Sequence, residues 1–142
     1  MHNKITGEIS TEVNGVVYQF KYEYGICYNA DFKSQGYYFD TWENGKEDDF
    51  KFSFILIELT HSSYLKVIDM LAPKKYYRGK GIARSMILES KKIFNTRIIS
   101  SSNTIKIYKG EKRSPDATRV WEKMQEEGLV SYDIKSDYYF TI

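Results

Sequence analysis

Arg78, Gly79, Lys80, Gly81, Ile82 and Ala83 form a basic, glycine-punctuated stretch between an apolar strand-like run, residues 64–71, and a segment of helical periodicity that begins at Ile82. A glycine-rich turn from strand to helix offers several free backbone N–H groups and the positive end of a helix dipole, a combination that holds phosphate. The chemistry it suits is capture of a pyrophosphate-bearing cofactor. N–H groups of the turn, Ile82 and Ala83 would bind the anion, Gly79 and Gly81 would permit close approach, and Arg78 and Lys80 would add charge. The dinucleotide fingerprint and the Walker loop need other glycine spacings, and neither occurs. A plain basic turn leading into a helix is the alternative.

Two carboxylates stand out for general-base work. Strand alternation puts Phe50, Phe52, Phe54 and Leu56 on one face and brings Glu58 onto that same face. Asp69 sits likewise within the apolar run 64–71. Burial there raises a carboxylate pKa toward the range useful for accepting a proton from an amine. A structural ion pair is the alternative for each. Tyr108, Tyr138 and Tyr139 are candidate acids, and spacing does not choose among them.

The elements that must position these groups can be read from pattern. Asn14-Gly15 and Asn44-Gly45 are type I′ hairpin signals flanked by Val, Tyr, Phe and Thr, which predicts strands near residues 6–13, 16–24, 36–43, 50–60 and 64–71. After the glycine turn, Ile82, Ala83, Met86, Ile87, Ile93 and Phe94 recur at helical spacing and leave Glu89, Lys91 and Lys92 for the outside. Residues 97–102 then read as a strand, parallel to 64–71 if the crossover is right-handed. Ser114 as N-cap, Pro115 at the first helical position and Asp116 in the first turn open a second helix, with Ala117, Val120, Trp121 and Met124 as its apolar stripe and Gly128 as its stop. Residues 130–142 read as one or two closing strands.

The chain has 142 residues, 42% of them hydrophobic and 16% aromatic with 13 Tyr, and no linker-like tract divides it, which predicts one folded domain over 1–142. No apolar run approaches the roughly 18 residues that span a bilayer, and the first residues lack a signal-peptide core, so a cytoplasmic protein without membrane contact is expected. Cys27 stands alone, and His2 and His61 are too few and scattered for a metal centre. The formal net charge is only +2, yet Lys74, Lys75, Arg78, Lys80, Arg84, Lys91 and Lys92 gather around the motif against the single acid Glu89. A phosphorylated cofactor explains this cluster, and nucleic acid is the other partner that would.

The spacing Arg/Gln-x-x-Gly-x-Gly/Ala, filled by Arg78, Gly81 and Ala83, resembles the pyrophosphate motif of the GNAT superfamily of N-acetyltransferases. The resemblance covers residues 64–142 with gaps. It extends to the order strand, glycine turn, helix, strand, helix, terminal strands, and to residues 117–124, which are similar to the family's late helix. It implies an α/β acyl-CoA N-acyltransferase fold, a mixed and largely antiparallel sheet flanked by helices, with the family's early helices reduced or absent here. It implies acetyl-CoA as cosubstrate, held by Met70, Leu71 and Ala72 along the pantetheine arm and by Arg78 to Ala83 at the pyrophosphate. The implied reaction is direct attack by a primary amine, of a small molecule or a protein lysine, with Glu58 or Asp69 as base and no covalent enzyme intermediate. Trp121 stands where many relatives carry an acidic tyrosine, and Ser114 where an Asn is frequent. The alternatives are a nucleic-acid-binding module and a catalytically silent interaction protein of the same fold. The acceptor is expected to be cationic and to lie against residues 25–45, between Tyr24, Tyr28, Tyr37, Tyr38, Trp42 and the acids Glu43, Glu47, Asp48 and Asp49.

Overall fold

The computed structural model describes residues 4–29, 34–46, 51–59, 62–72 and 75–142. His2, Glu47, Asp48, Asp49, Phe50, His61, Pro73 and Lys74 lie outside them. Alternating aromatic and β-branched residues form five successive antiparallel strands: β1 (Ile5–Val13), β2 (Val16–Asn29), β3 (Ser34–Glu43), β4 (Phe52–Glu58) and β5 (Leu65–Leu71). Asn14 and Gly15, with φ of 51° and 79°, make the two-residue turn that sets Val13 opposite Val16. Asn44-Gly45 does not repeat it. Of that pair only Gly45 has a positive φ, 87°, and the Lys46 N–H bonds the Glu43 carbonyl, so the dipeptide forms a turn inside a longer connection.

Beyond β5, a 3₁₀ turn (Lys75–Tyr77) and the glycine turn lead into α1 (Ile82–Phe94). There follow β6 (Ile98–Ile99), parallel to β5, then α2 (Pro115–Glu126), β7 (Val130–Asp133) and β8 (Tyr138–Thr141). The result is an open, mostly antiparallel eight-stranded sheet ordered β1-β2-β3-β4-β5-β6-β8-β7, with two helices, an α/β architecture. Among the described residues no helix precedes residue 75.

The ring of Phe94, at the end of α1, packs against Tyr24, Tyr37 and Phe39, with centroids 5.7, 4.4 and 6.2 Å away. Glu89 is not left outside: its Oε2 accepts the Tyr22 hydroxyl at 2.7 Å. Burial and then this bond push the Tyr22 hydroxyl pKa upward, so it remains a donor. Gly7 makes the contact possible, because a Cβ there would lie 2.2 Å from the Tyr22 hydroxyl oxygen. In α2, Trp121 and Met124 are buried and the Trp121 ring stacks on Tyr139, while Arg84 and Glu127 join the two helices at 2.8 Å.

The strand expected over 97–102 shrinks to Ile98–Ile99 because the serines that follow turn to other partners. Ser101 Oγ donates to the Val67 carbonyl, and the Ser102 N–H donates to Glu111 Oε2. Residues 100–114 then run as a loop held by two buried charge pairs. Lys66 Nζ meets Glu111 Oε2 at 2.7 Å with both residues nearly inaccessible, and Arg113 meets Asp137 at 2.9 Å. Burial would lift the Asp137 carboxyl, but bonds from Tyr132, Arg113 and the Asn103 N–H hold it below the usual carboxylate range.

Removing one member of a buried pair strands the other charge. Glu111→Gln is therefore expected to lower stability by about 3 kcal/mol in urea unfolding, and Lys66→Met with Glu111→Gln to recover part of that loss. A double variant less stable than the sum of the singles would contradict this account.

Candidate functional site

The ladder between β5 and β6 consists of Leu65 opposite Ile98 and Lys66 opposite Ile99. Immediately afterwards the β4 register shifts: Leu56 faces Val67 but Ile55 faces Asp69, so Ile68 is an extra residue that bends β5. From Ile68 to Leu71 the β6-facing edge of β5 has no strand partner. A narrow cleft of about 80 Å³ opens there, walled by Val67, Ile68, Asp69 and Met70 on one side and by Ser101, Arg113, Ala117 and Trp121 on the other. Met70 and Ala72 also pack on the core, and Leu71 is exposed.

The glycine turn follows the open end of β5. Gly79 and Gly81 have φ of 72° and 75°, a region that side chains with a Cβ enter at a cost of about 1–2 kcal/mol. Within the protein the need for glycine is conformational, since a Cβ on Gly79 would meet nothing within 4 Å and one on Gly81 only ordinary contacts with Thr11 and Val13. Gly81 is also the N-cap of α1 and supplies no side-chain cap. The contrast with α2 is direct, because Ser114 Oγ accepts the Ala117 N–H there. Helix α1 thus presents its first N–H groups uncapped, at Ile82, which is buried, and at Ala83 and Arg84, which are partly exposed.

The cations around this turn are not equivalent. Arg78 is exposed. Lys80 folds back, donating to the Tyr76 carbonyl and lying 3.9 Å from the Tyr76 ring and 5.2 Å from the Tyr18 ring. Tyr76 in turn donates its hydroxyl to Glu43, which raises its pKa to about 12. Arg84 is committed to Glu127, and Lys91 to the Ile142 carbonyl. Three members of the basic cluster legible in the sequence, Lys80, Arg84 and Lys91, are thereby committed to separate partners.

Asp69 and Glu58 are not brought together. Asp69 lines the cleft, and although much of the residue is open, burial of its carboxylate raises its pKa, with the Met70 N–H partly opposing. Glu58 pairs with Leu65 at the other end of β5, four residues and about 13 Å along the strand from Asp69, where its Oε1 accepts the Tyr37 hydroxyl at 2.8 Å. Among the three candidate acids, Tyr108 adjoins the cleft: it hydrogen-bonds Ser101, and burial, then the charges of Glu111 and Asp69, raise its pKa. Tyr139 is buried between Trp121 and Tyr132, and Tyr138 packs on Phe140. Tyr108 could be singled out only in three dimensions, because the loop that carries it has no periodic pattern.

Of the side chains expected to wall an acceptor groove over residues 25–45, Tyr28 is exposed and Tyr37 lines a separate cavity, while others are engaged elsewhere. Tyr24 and Trp42 belong to the core, and Tyr38 lies over Gly25, 2.8 Å from where a Cβ would be. Glu43 is taken by Tyr76. Cys27 is half-buried, and burial pushes its thiol pKa up, which makes it a weak nucleophile. Among the described residues no group of three or more His, Cys, Asp or Glu is placed to hold a metal, and no helix is long and apolar enough to cross a membrane.

A raised pKa at Asp69 means that the folded protein binds a proton there more tightly than the unfolded chain, so ionisation at neutral pH subtracts stability. Asp69→Asn is expected to melt at a higher temperature than the parent at neutral pH, with the difference fading as pH falls toward the usual carboxylate range and gone below it. A difference that grows on acidification would reverse the assignment. No family model, curated protein or solved structure matches the chain.

Proposed function

We propose that the chain is an acetyl-CoA-dependent N-acetyltransferase of the GNAT type, acting on a primary amine by direct attack. One observation carries the reading: two left-handed glycines follow β5, whose outer edge is unpaired from Ile68 onward, and lead into a helix that starts without a side-chain cap. An uncapped helix start suits a pyrophosphate, and a free strand edge suits an amide-bearing arm laid alongside it. The sheet order and the two helices after residue 75 support the same reading, since strand, glycine turn, helix, strand, helix and closing strands follow in the sequence the resemblance implies.

In this reading the N–H groups of Ile82, Ala83 and Arg84 hold the pyrophosphate, Arg78 adds charge, and Lys80 contributes less because Tyr76 engages it. The backbone of Met70, Leu71 and Ala72 lines the arm. Acetyl-CoA supplies the activated acyl group as a thioester. Asp69 is the base of choice, since its carboxylate lines the cleft and its raised pKa suits acceptance of a proton from the amine. The Tyr108 hydroxyl, protonated at neutral pH, would return a proton to the leaving group. Trp121 cannot do so, being buried and stacked on Tyr139, with an indole N–H of no useful acidity.

Calorimetric titration with coenzyme A tests the reading. Saturable binding is expected, weakened about tenfold or more by Gly81→Val through loss of charge-assisted backbone bonds, and unchanged by Gly110→Ala, where a Cβ meets only ordinary contacts. Arg78→Ala should weaken binding more than Lys80→Ala. Absence of binding would overturn the proposal. Binding without thiol release across a panel of amines would instead favour a silent interaction protein.

With acetyl-CoA and a competent amine, Asp69→Asn is expected to lower kcat about 100-fold or more while coenzyme A affinity holds. Tyr108→Phe should flatten the alkaline limb of the pH–rate profile. An Asp69→Asn variant of parental kcat would remove Asp69 as the base.

A further inference from the structure

A second cavity, of about 400 Å³ against about 80 Å³ for the cleft, lies at the opposite end of β5. Leu65 and Glu58 form the strand pair at its edge, and the glycine turn is six or more residues beyond, about 20 Å along the strand. Its walls combine three features that share one electrostatic sign. The Glu58 carboxylate is oriented by the Tyr37 hydroxyl at 2.8 Å. The rings of Tyr37 and Phe94 pack on each other, centroids 4.4 Å apart and tilted by 39°, and both contribute to the lining. The carbonyl end of α1 reaches the same wall at Phe94 and Asn95, where the left-handed Asn95 ends the helix.

No Lys or Arg is among the described lining residues. Two cations near it have other partners: Lys91 donates to the Ile142 carbonyl, and the Arg97 guanidinium lies over Tyr64 and Phe140 at 5.7 and 5.1 Å. A carboxylate, aromatic rings and a helix carboxyl end all attract positive charge, and the volume falls in the range of small-molecule sites, about 300–1,000 Å³. A bare metal ion would want several oxygen ligands at once, and the described residues assemble no such group.

We propose that this cavity binds an organic cation, an alkylammonium or quaternary ammonium group, with Glu58 as counter-ion and the Tyr37 and Phe94 rings as the surface it lies against. The site is separate from the cleft and does not rest on acetyl transfer. Either proposal can fail while the other stands.

The test is a titration with tetramethylammonium chloride followed by backbone amide shifts, against sodium chloride at matched ionic strength and tert-butanol as a neutral probe of similar shape. Saturable shifts centred on Glu58, Phe94, Asn95 and Thr96 are expected with the ammonium and not with tert-butanol. Glu58→Gln, which keeps an oxygen for the Tyr37 hydroxyl, should weaken binding about tenfold or more, and Phe94→Leu about threefold. Should Glu58→Gln disturb the fold, Phe94→Leu alone decides. No saturable shift, equal response to tert-butanol, or unaltered affinity in a folded variant would overturn the proposal.

Discussion

Everything at the cleft depends on β5 and β6 separating after two paired residues. Parallel strands left to themselves extend their ladder, so a separation must be enforced. Two features enforce it here. The extra residue Ile68 bends β5 on one side, and residues 100–114 turn their serines and charges inward on the other. That loop has no ladder of its own, so its N–H groups find side-chain acceptors. Glu111 takes those of Ser102 and Ile107, Asp137 takes that of Asn103, and Ser102 Oγ takes those of Thr104 and Ile105. Lys66 and Arg113 supply the opposing charge. Each ion loses several kcal/mol of hydration on burial, and several hydrogen bonds per carboxylate are what make the arrangement tolerable.

The aromatic platform of β2, β3 and β4 does comparable work for α1. Phe94 is gripped by Tyr24, Tyr37 and Phe39 at one end of the helix, and Tyr22 reaches across Gly7 to Glu89 in its middle. With its register set that way, the helix has little choice about where its ends fall. Its amino end, at Gly81, stands against Thr11 and Val13 of β1, and its carboxyl end lines the cavity that holds Glu58. At that carboxyl end the helix dipole favours positive charge in the larger cavity.

Several of these elements were legible because they follow from short-range backbone preference. Asn14-Gly15 dictates its own turn, Ser114 and Pro115 open α2 with the cap observed, and the Gly79 and Gly81 pair marks a junction that only left-handed residues satisfy. The strand pattern of residues 5–13, 34–43 and 65–71 rests on alternation with a buried face, which survives in the structure to within two residues at each end. Asn44-Gly45 has the same local wording as Asn14-Gly15 without the same outcome, because the β3–β4 pairing begins further from the turn, at Thr41 and Phe52.

Residue types and spacing alone determined the strand-rich first half, the glycine junction, the two helices and the presence of carboxylates within apolar runs. Which carboxylate faces a cleft was decided only by tertiary structure. Glu58 and Asp69 look alike in sequence, but a one-residue register shift and the end of α1 send them to separate cavities. The same holds for Lys66 with Glu111, 45 residues apart, and for Tyr108 beside Asp69. Local propensity cannot encode such pairs, because their energy comes from desolvation and register, and both depend on what the rest of the chain places nearby.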